Sequence, residues 1–173
     1  MRIRFGAPPV SHLIALCNAA LQRNRIVLQT ELAEDLPAVT GDRVQLQQVI
    51  LNLLTNASDA MTSVDDRPRD LLLRTALDQN ELVSVTVRDS GAGFRPEDAE
   101  RLFTAFYTTK SGGMGIGLSV SRSIIESHRG RLWAESNAGP GATFTFAIPR
   151  STPPESAHHL SDRRDRSRDQ ARV

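Results

Sequence analysis

The hydrophobic positions of this chain change period several times between residues 11 and 149, and each change marks an element. From Val49 onward, Ile50, Leu53, Leu54, Ala57, Ala60 and Met61 recur at helical spacing, which predicts a long helix from about residue 42 to 61 with Asp42 as its N-cap. The same period covers residues 11–23, capped by Ser11 after an "APP" turn, and residues 118–128, stopped by Gly130. Pro96 and the two acids behind it suit the first turn of another helix through "PEDAERLF". Alternation replaces the helical period at residues 25–32, 70–77 and 82–89, where Val83, Val85 and Val87 share one face of a strand. A short strand is expected within 37–42, and "NAGPG" turns between two closing strands, 131–136 and 142–149. Strands and helices arrive in blocks and hairpins, not in strict alternation. That order predicts an α+β two-layer sandwich instead of a doubly wound parallel sheet.

One polar stripe breaks the logic of the long helix. Asn52, Asn56 and Asp59 stand one above another, and Gln45 and Gln48 extend the stripe backwards. An exposed helix face is better filled by Lys and Glu, which form helix more readily than Asn. A ligand that wants amide oxygens would account for the choice.

Composition narrows the class without naming a function. The 173 residues are 39% hydrophobic and 24% charged, enough for one domain with a proper core. A net charge of +1 provides no global attraction to nucleic acid or to an anionic membrane surface. The single Cys17 excludes an internal disulfide and a thiolate metal cage. No apolar run reaches spanning length and no secretion signal opens the chain, so a cytoplasmic location and no membrane contact are expected. Residues 1–8 are read as a linker, 9–149 as the folded domain, and 150–173, where Arg and Asp interleave, as a disordered charged tail. Trp133 and Cys17 are assigned to core packing, and His128 to a helix C-cap.

Three short motifs carry candidate chemistry. In "VTVRDSGAGF", Asp89 ends a strand and Gly91 and Gly93 follow, so a carboxylate can hold an amine while the backbone passes close to a flat ring. Alone, Asp-Ser-Gly is also a common turn. In "TTKSGGMGIGLSVS", glycines 112, 113, 115 and 117 precede a helix, and Lys110 stands beside them. Glycine-exposed N–H groups at a helix N-terminus suit phosphate, although a flexible surface loop reads the same way. Neither the Walker spacing nor the dinucleotide G-x-G-x-x-G is present. "GPGATFTF" adds a glycine pair before an alternating strand, which alone is a hairpin turn.

Taken in order, the amide-lined helix, D-x-G-x-G, a Phe-containing stretch, G-x-G-x-G-L and G-x-T-F-x-F form a constellation. It resembles the ATP-binding catalytic domain of sensor histidine kinases, in the superfamily shared with gyrase, Hsp90 and MutL. "NASDAM", "FYTTK" and "GMGIGLSVSRSIIESHRGRLWAES" look most like the nitrogen-regulation and oxygen-sensing branch. The resemblance implies the Bergerat-type sandwich, a mixed and mostly antiparallel sheet against three helices, with ATP and Mg²⁺ held beneath a mobile lid. It implies that Asn56 coordinates magnesium, that Asn52 lines the phosphate site with Asp59 close by, and that Asp89 accepts the adenine amine between Gly91 and Gly93. Phe103 and Phe106 correspond to the family's aromatic box, and Thr108, Thr109 and Lys110 to the start of the lid. Gly113, Gly115, Gly117 and Leu118 correspond to the glycine box closing the lid, and Gly141 and Thr143 to the last motif.

The resemblance also gives the amide stripe a reason. In the gyrase and Hsp90 branch, a Glu one turn before the magnesium asparagine activates water; here that position is Asn52. Asn52, Asn56 and Lys110 are therefore expected to hold ATP for transfer, not for hydrolysis. Asp59 stands where many members carry Lys, which leaves more of the positive charge to Lys110. No histidine stands in the phosphoacceptor context: His12 is followed by Leu13, and His158 and His159 lie in the tail. The implied partners are a dimerisation domain carrying that histidine and a response regulator downstream. Rival readings are a stand-alone anti-sigma-type Ser/Thr kinase and a non-catalytic nucleotide-sensing module.

Overall fold

The computed structural model describes residues 1–3, 5, 7–108 and 114–151, with the backbone alone at residues 7–12 and 16. Five strands, β2 (Ile26–Leu32), β4 (Arg69–Leu77), β5 (Leu82–Asp89), β6 (Arg131–Ser136) and β7 (Ala142–Pro149), form one sheet in the order β2-β4-β5-β7-β6. Only β2 and β4 run parallel. Helices α1 (Ala7–Arg23), α2 (Arg43–Met61) and α3 (Gly117–Ser127) lie over β2, β5 and β6 respectively, with α2 packed against both others. A two-stranded ribbon, β1 (Arg2–Ile3) with β3 (Val39–Thr40), sits beside them. This is the two-layer sandwich that the element order predicts.

The two-residue period of the strands builds the core. Val83, Val85 and Val87 face the helices together with Leu71, Leu73, Phe144, Phe146, Ile148 and Leu132, all buried. Register lines up Leu73, Val87, Phe144 and Ala134 as one rung across four strands. From the other layer α2 contributes Leu46, Val49, Ile50, Leu53, Leu54, Ala57 and Met61. Each large side chain among these is worth about 1.5–3 kcal/mol of burial. Their sum far exceeds the few tenths of a kcal/mol per residue that asparagines cost in a helix. The amide stripe is tolerable because packing, not propensity, holds α2.

Several boundaries depart from expectation. Residues 1–8, read as a linker, contain β1 and the start of α1, and Ile3 and Phe5 are buried, Phe5 edge-on to Phe146. Pro8 and Pro9 occupy the first turn of α1, where a missing N–H leaves no intrahelical bond unmade, so "APP" starts the helix and Ser11 falls inside it. Residues 96–103 form two single turns of 3-10 helix, Pro96–Asp98 and Arg101–Phe103, in place of one α-helix. So short a segment gains little from α-helical propagation and is pinned mainly by buried Phe103. Trp133 faces away from the helices, opposite Thr145 on the outer side of the sheet, so it is not a core residue. Alternation along β6 requires this, since Leu132 and Ala134 take the inner face. Cys17 packs, half-buried, against the core, and burial pushes its thiol up from the ordinary pKa. The tail from 152 to 173 and the side chain of His12 lie outside the described residues. No helix among those described is long and apolar enough to cross a membrane.

Candidate functional site

A cleft of about 590 Å³ opens between the ends of α2 and α3 and the inner face of the sheet. Asn52, Asn56, Asp59 and Ala60 form one wall, so the polar stripe of α2 faces the cleft; Gln45 and Gln48 do not reach it. Gly115, Ile116, Gly117 and Leu118 form the opposite wall, and Asp89, Gly93, Phe94, Ala142 and Phe144 the base. Arg95, Asp98, Leu102, Tyr107, Thr108 and Met114 complete the rim.

Asp89 is the last member of the inward row of β5, which is why its carboxylate is buried at 3% exposure. Its Oδ1 accepts from the backbone N–H groups of Gly91 (2.8 Å) and Ala142 (3.3 Å). Both bonds fall on one oxygen and leave Oδ2 for the cleft. Burial pushes the carboxyl above the usual range, and the two N–H groups oppose that shift. The loop behind it is tightly held. Arg67 donates to the carbonyls of Ser90 and Gly91, each at 3.1 Å, and Ala92 N–H donates to Ala60 at the end of α2. A Cβ on Gly91 would lie 2.7 Å from that same Ala60 oxygen.

The last glycine motif acts from behind the cleft. Gly141, at φ +93°, brings its Cα so close to the Asp89 carbonyl that a Cβ there would overlap it. Thr143 donates to Asn137 Oδ1 at 2.7 Å, and Asn137 Nδ2 donates to the Asp89 carbonyl at 2.9 Å. Gly141 and Thr143 therefore shape the backbone that carries Asp89, and neither lines the cleft.

One end of the cleft is built by α2 against α3. Asn52 Nδ2 donates to Ser121 Oγ at 2.9 Å, and Gly117 lies flat on the same amide. Among the described residues no side chain caps the start of α3, and Ile116, Gly117 and Leu118 there line this end of the cleft, a setting that suits an anion. The far end of α3 is tied to α2 by His128, the C-cap. Its Nδ1 lies 2.7 Å from the Ile124 carbonyl, and its Nε2 accepts from Asp42 N–H at 2.9 Å. Asp42 caps α2 as expected, accepting from Val44 and Gln45.

The two expected aromatic residues behave differently. Phe103 is buried behind the wall, its ring edge-on to Phe144 and covered by the Arg122 guanidinium. Phe106, with φ +68°, is 79% exposed and outside the cleft; its N–H donates to the Gly115 carbonyl and closes the neck of the glycine-rich segment. Phe94 and Phe144 supply the aromatic surface instead. Thr109, Lys110 and Gly113 lie outside the described residues. Ser121, Arg67 and Asn137 were not legible as site residues, because each acts across the fold on a residue distant in sequence.

The donor set bears on a metal. Among the described residues no group of three His, Cys, Asp or Glu side chains converges. Two amides and one carboxylate on a single helix face fit a cation that shares substrate phosphates and keeps its water, as Mg²⁺ does.

Residues 41–152 match the family model of histidine kinase-, DNA gyrase B- and HSP90-like ATPases. The chain is 44% identical over 135 residues to sensor protein FixL of Bradyrhizobium diazoefficiens, covering 78% of this chain and 26% of that protein. It thus spans about a quarter of the length of this curated relative. The catalytic domain of histidine kinase ThkA superposes with a TM-score of 0.73 at 31% identity, over 87% of this chain and 96% of that one. Full-length ShkA in complex with AMPPNP gives 0.73 at 25% identity, over 84% of this chain and 30% of ShkA.

Proposed function

The chain belongs to the histidine kinase-, DNA gyrase B- and HSP90-like ATPase family, and on that premise we propose that its cleft binds Mg-ATP and delivers the γ-phosphate to a histidine of a dimerisation domain. The observation that carries this reading is the division of labour on Asp89. One oxygen is taken by two backbone donors and the other is left for an exocyclic amine, which adenine has at that edge and guanine lacks. Phe94 and Phe144 offer the ring an apolar bed, and the uncapped start of α3 faces the phosphates.

Asn52, Asn56 and Asp59 would hold the magnesium ion jointly with the phosphates. When bound, the ion neutralises phosphate charge and steadies the leaving diphosphate. The chain's own residues bind, orient and exclude. None of the α2 side chains on this wall except Asp59 is a base, and amides do not deprotonate water. The acceptor imidazole nitrogen attacks the γ-phosphorus, the bond to the β–γ bridging oxygen breaks, and ADP leaves with its electrons. A response regulator then takes the phosphoryl group. FixL and ThkA are named as a sensor protein and a histidine kinase, which supports the same reading.

The test is transfer of labelled γ-phosphate to a separately supplied dimerisation domain carrying the acceptor histidine. An acid-labile, base-stable label on that domain, with slow hydrolysis by the chain alone, is the expected result. An acid-stable label would assign a Ser/Thr kinase, and no nucleotide binding would remove the assignment altogether.

A further inference from the structure

A buried hydroxyl outside the glycine motifs grips one of the cleft amides. Ser121 lies in α3, four residues after Gly117, and is 2% exposed. Its Oγ accepts the 2.9 Å hydrogen bond from Asn52 Nδ2. One turn earlier on the same helix stands Gly117, where a Cβ would come within 2.6 Å of Oδ1 and 3.2 Å of Nδ2. The Asn52 amide therefore lies against the first turns of α3, its donor on Ser121 and its oxygen nearest Gly117 at the helix start. That start has no side-chain cap among the described residues and carries the positive end of the helix dipole, which favours an oxygen over an amino group. Turning the amide over would set its NH₂ against that positive end; the Ser121 hydroxyl can serve either sense, so it anchors the amide while the helix end sets which way it faces.

We propose that Ser121 is a positioning residue of the nucleotide site: it anchors the Asn52 amide against the start of α3, where the positive helix end keeps its carbonyl oxygen, not its NH₂, toward the phosphate end of the cleft. The inference rests on the Mg-ATP reading of that cleft. An oxygen there can face the cation or a water bound to it, whereas an NH₂ repels both. Loss of the Ser121 hydroxyl frees the amide to rotate. The resulting defect falls on the metal-dependent part of ATP affinity, because the adenine end is set separately by Asp89 on β5.

Calorimetric titration of ATP with and without Mg²⁺ tests this on the native chain, Ser121→Ala, Asn52→Ala and the double variant. The expected result for Ser121→Ala is a loss of about tenfold in the Mg²⁺-dependent gain, the weight of one buried hydrogen bond, with metal-free affinity nearly unchanged. Ser121→Thr, which keeps the hydroxyl, retains the gain. Adding Ser121→Ala to Asn52→Ala changes nothing further, since the amide it positions is gone. Equal weakening with and without Mg²⁺, or losses that add in the double variant, would overturn the proposal. Should Ser121→Ala melt the domain, Ser121→Cys, a weak acceptor of similar size, carries the same comparison. A native chain whose ATP affinity ignores Mg²⁺ would instead overturn the underlying Mg-ATP reading.

Discussion

Asp89 ends a row of inward-facing valines, and on the proposed reading the choice between carboxylate and amide there sets which base the cleft accepts. Oδ1 receives two backbone N–H groups, so an asparagine would have to give them its oxygen and turn its NH₂ toward the adenine amine. Asp89→Asn is expected to abolish measurable ATP binding in calorimetry while keeping the fold. Stability follows from the raised pKa. Between the ordinary aspartate value and the raised one, the folded chain holds the proton more tightly than the unfolded chain. Stability contributed by this group therefore falls as pH rises through that window, and the ionised form is the strained one. Without nucleotide, Asp89→Asn should melt no lower than the native chain at neutral pH. ATP affinity of the native chain should weaken on acidification at a pH above that of an ordinary aspartate, about 4. Asn56 stands on the wall of the cleft, outside the buried face of α2. Asn56→Ala should leave the circular dichroism spectrum intact and abolish metal-dependent transfer of label to an acceptor domain.

Helix α3 shows how one element serves both fold and cleft. Its C-terminal end is a Schellman motif, with Arg129 N–H bonded to the Glu126 carbonyl and Gly130 N–H to that of Ile125. The left-handed residue is Arg129, at φ +59°, not the glycine after it. Gly130 is needed for another reason: a Cβ there would stand 2.4 Å from the Ala147 carbonyl on β7. Arg129 is exposed, so Arg129→Gly relieves backbone strain without loss of packing and should stabilise the domain by about 1 kcal/mol in chemical denaturation. At the other end, Gly117→Ala should favour the helix intrinsically, yet its methyl meets Asn52 Oδ1 at 2.6 Å. The expected outcome is a fold that survives and Mg-ATP affinity that drops in calorimetry. Unchanged affinity would mean that Asn52 moves aside at no cost to the site.

Across the molecule the cleft joins the two layers of the sandwich. Its walls are α2 and α3, and its base is the end of β5 and the start of β7. A ligand seated there binds the folded chain and has no site in the unfolded one. ATP with Mg²⁺ at a hundred times its dissociation constant should therefore add about 2.7 kcal/mol of stability, read as a rise in melting temperature. GTP at the same concentration should add far less if Asp89 selects the base. The neck closed by the Phe106–Gly115 bond meets the cleft through Gly115, and exchange of the Phe106 and Gly115 amides should slow when Mg-ATP is bound.

Period and motif order in the sequence determined the strands of the sheet, the span of α2 and its cap, and the placing of Asn52, Asn56, Asp59 and Asp89 around one cleft. These depend on local rules: alternation turns Asp89 inward after three valines, and helical spacing puts Asn52, Asn56 and Asp59 on one wall. Other features depend on which segments come to lie side by side. Trp133 reads as core by composition, but the register of β6 against β7 turns it outward. Pro8 and Pro9 read as a break, but a helix start absorbs them. Phe106 reads as part of an aromatic box, but its backbone conformation and its bond to Gly115 place the ring in solvent. Ser121, Arg67 and Asn137 carry no local signal at all. Each became part of the site because packing set a hydroxyl, a guanidinium or an amide against groups 69, 24 and 48 positions away in the chain.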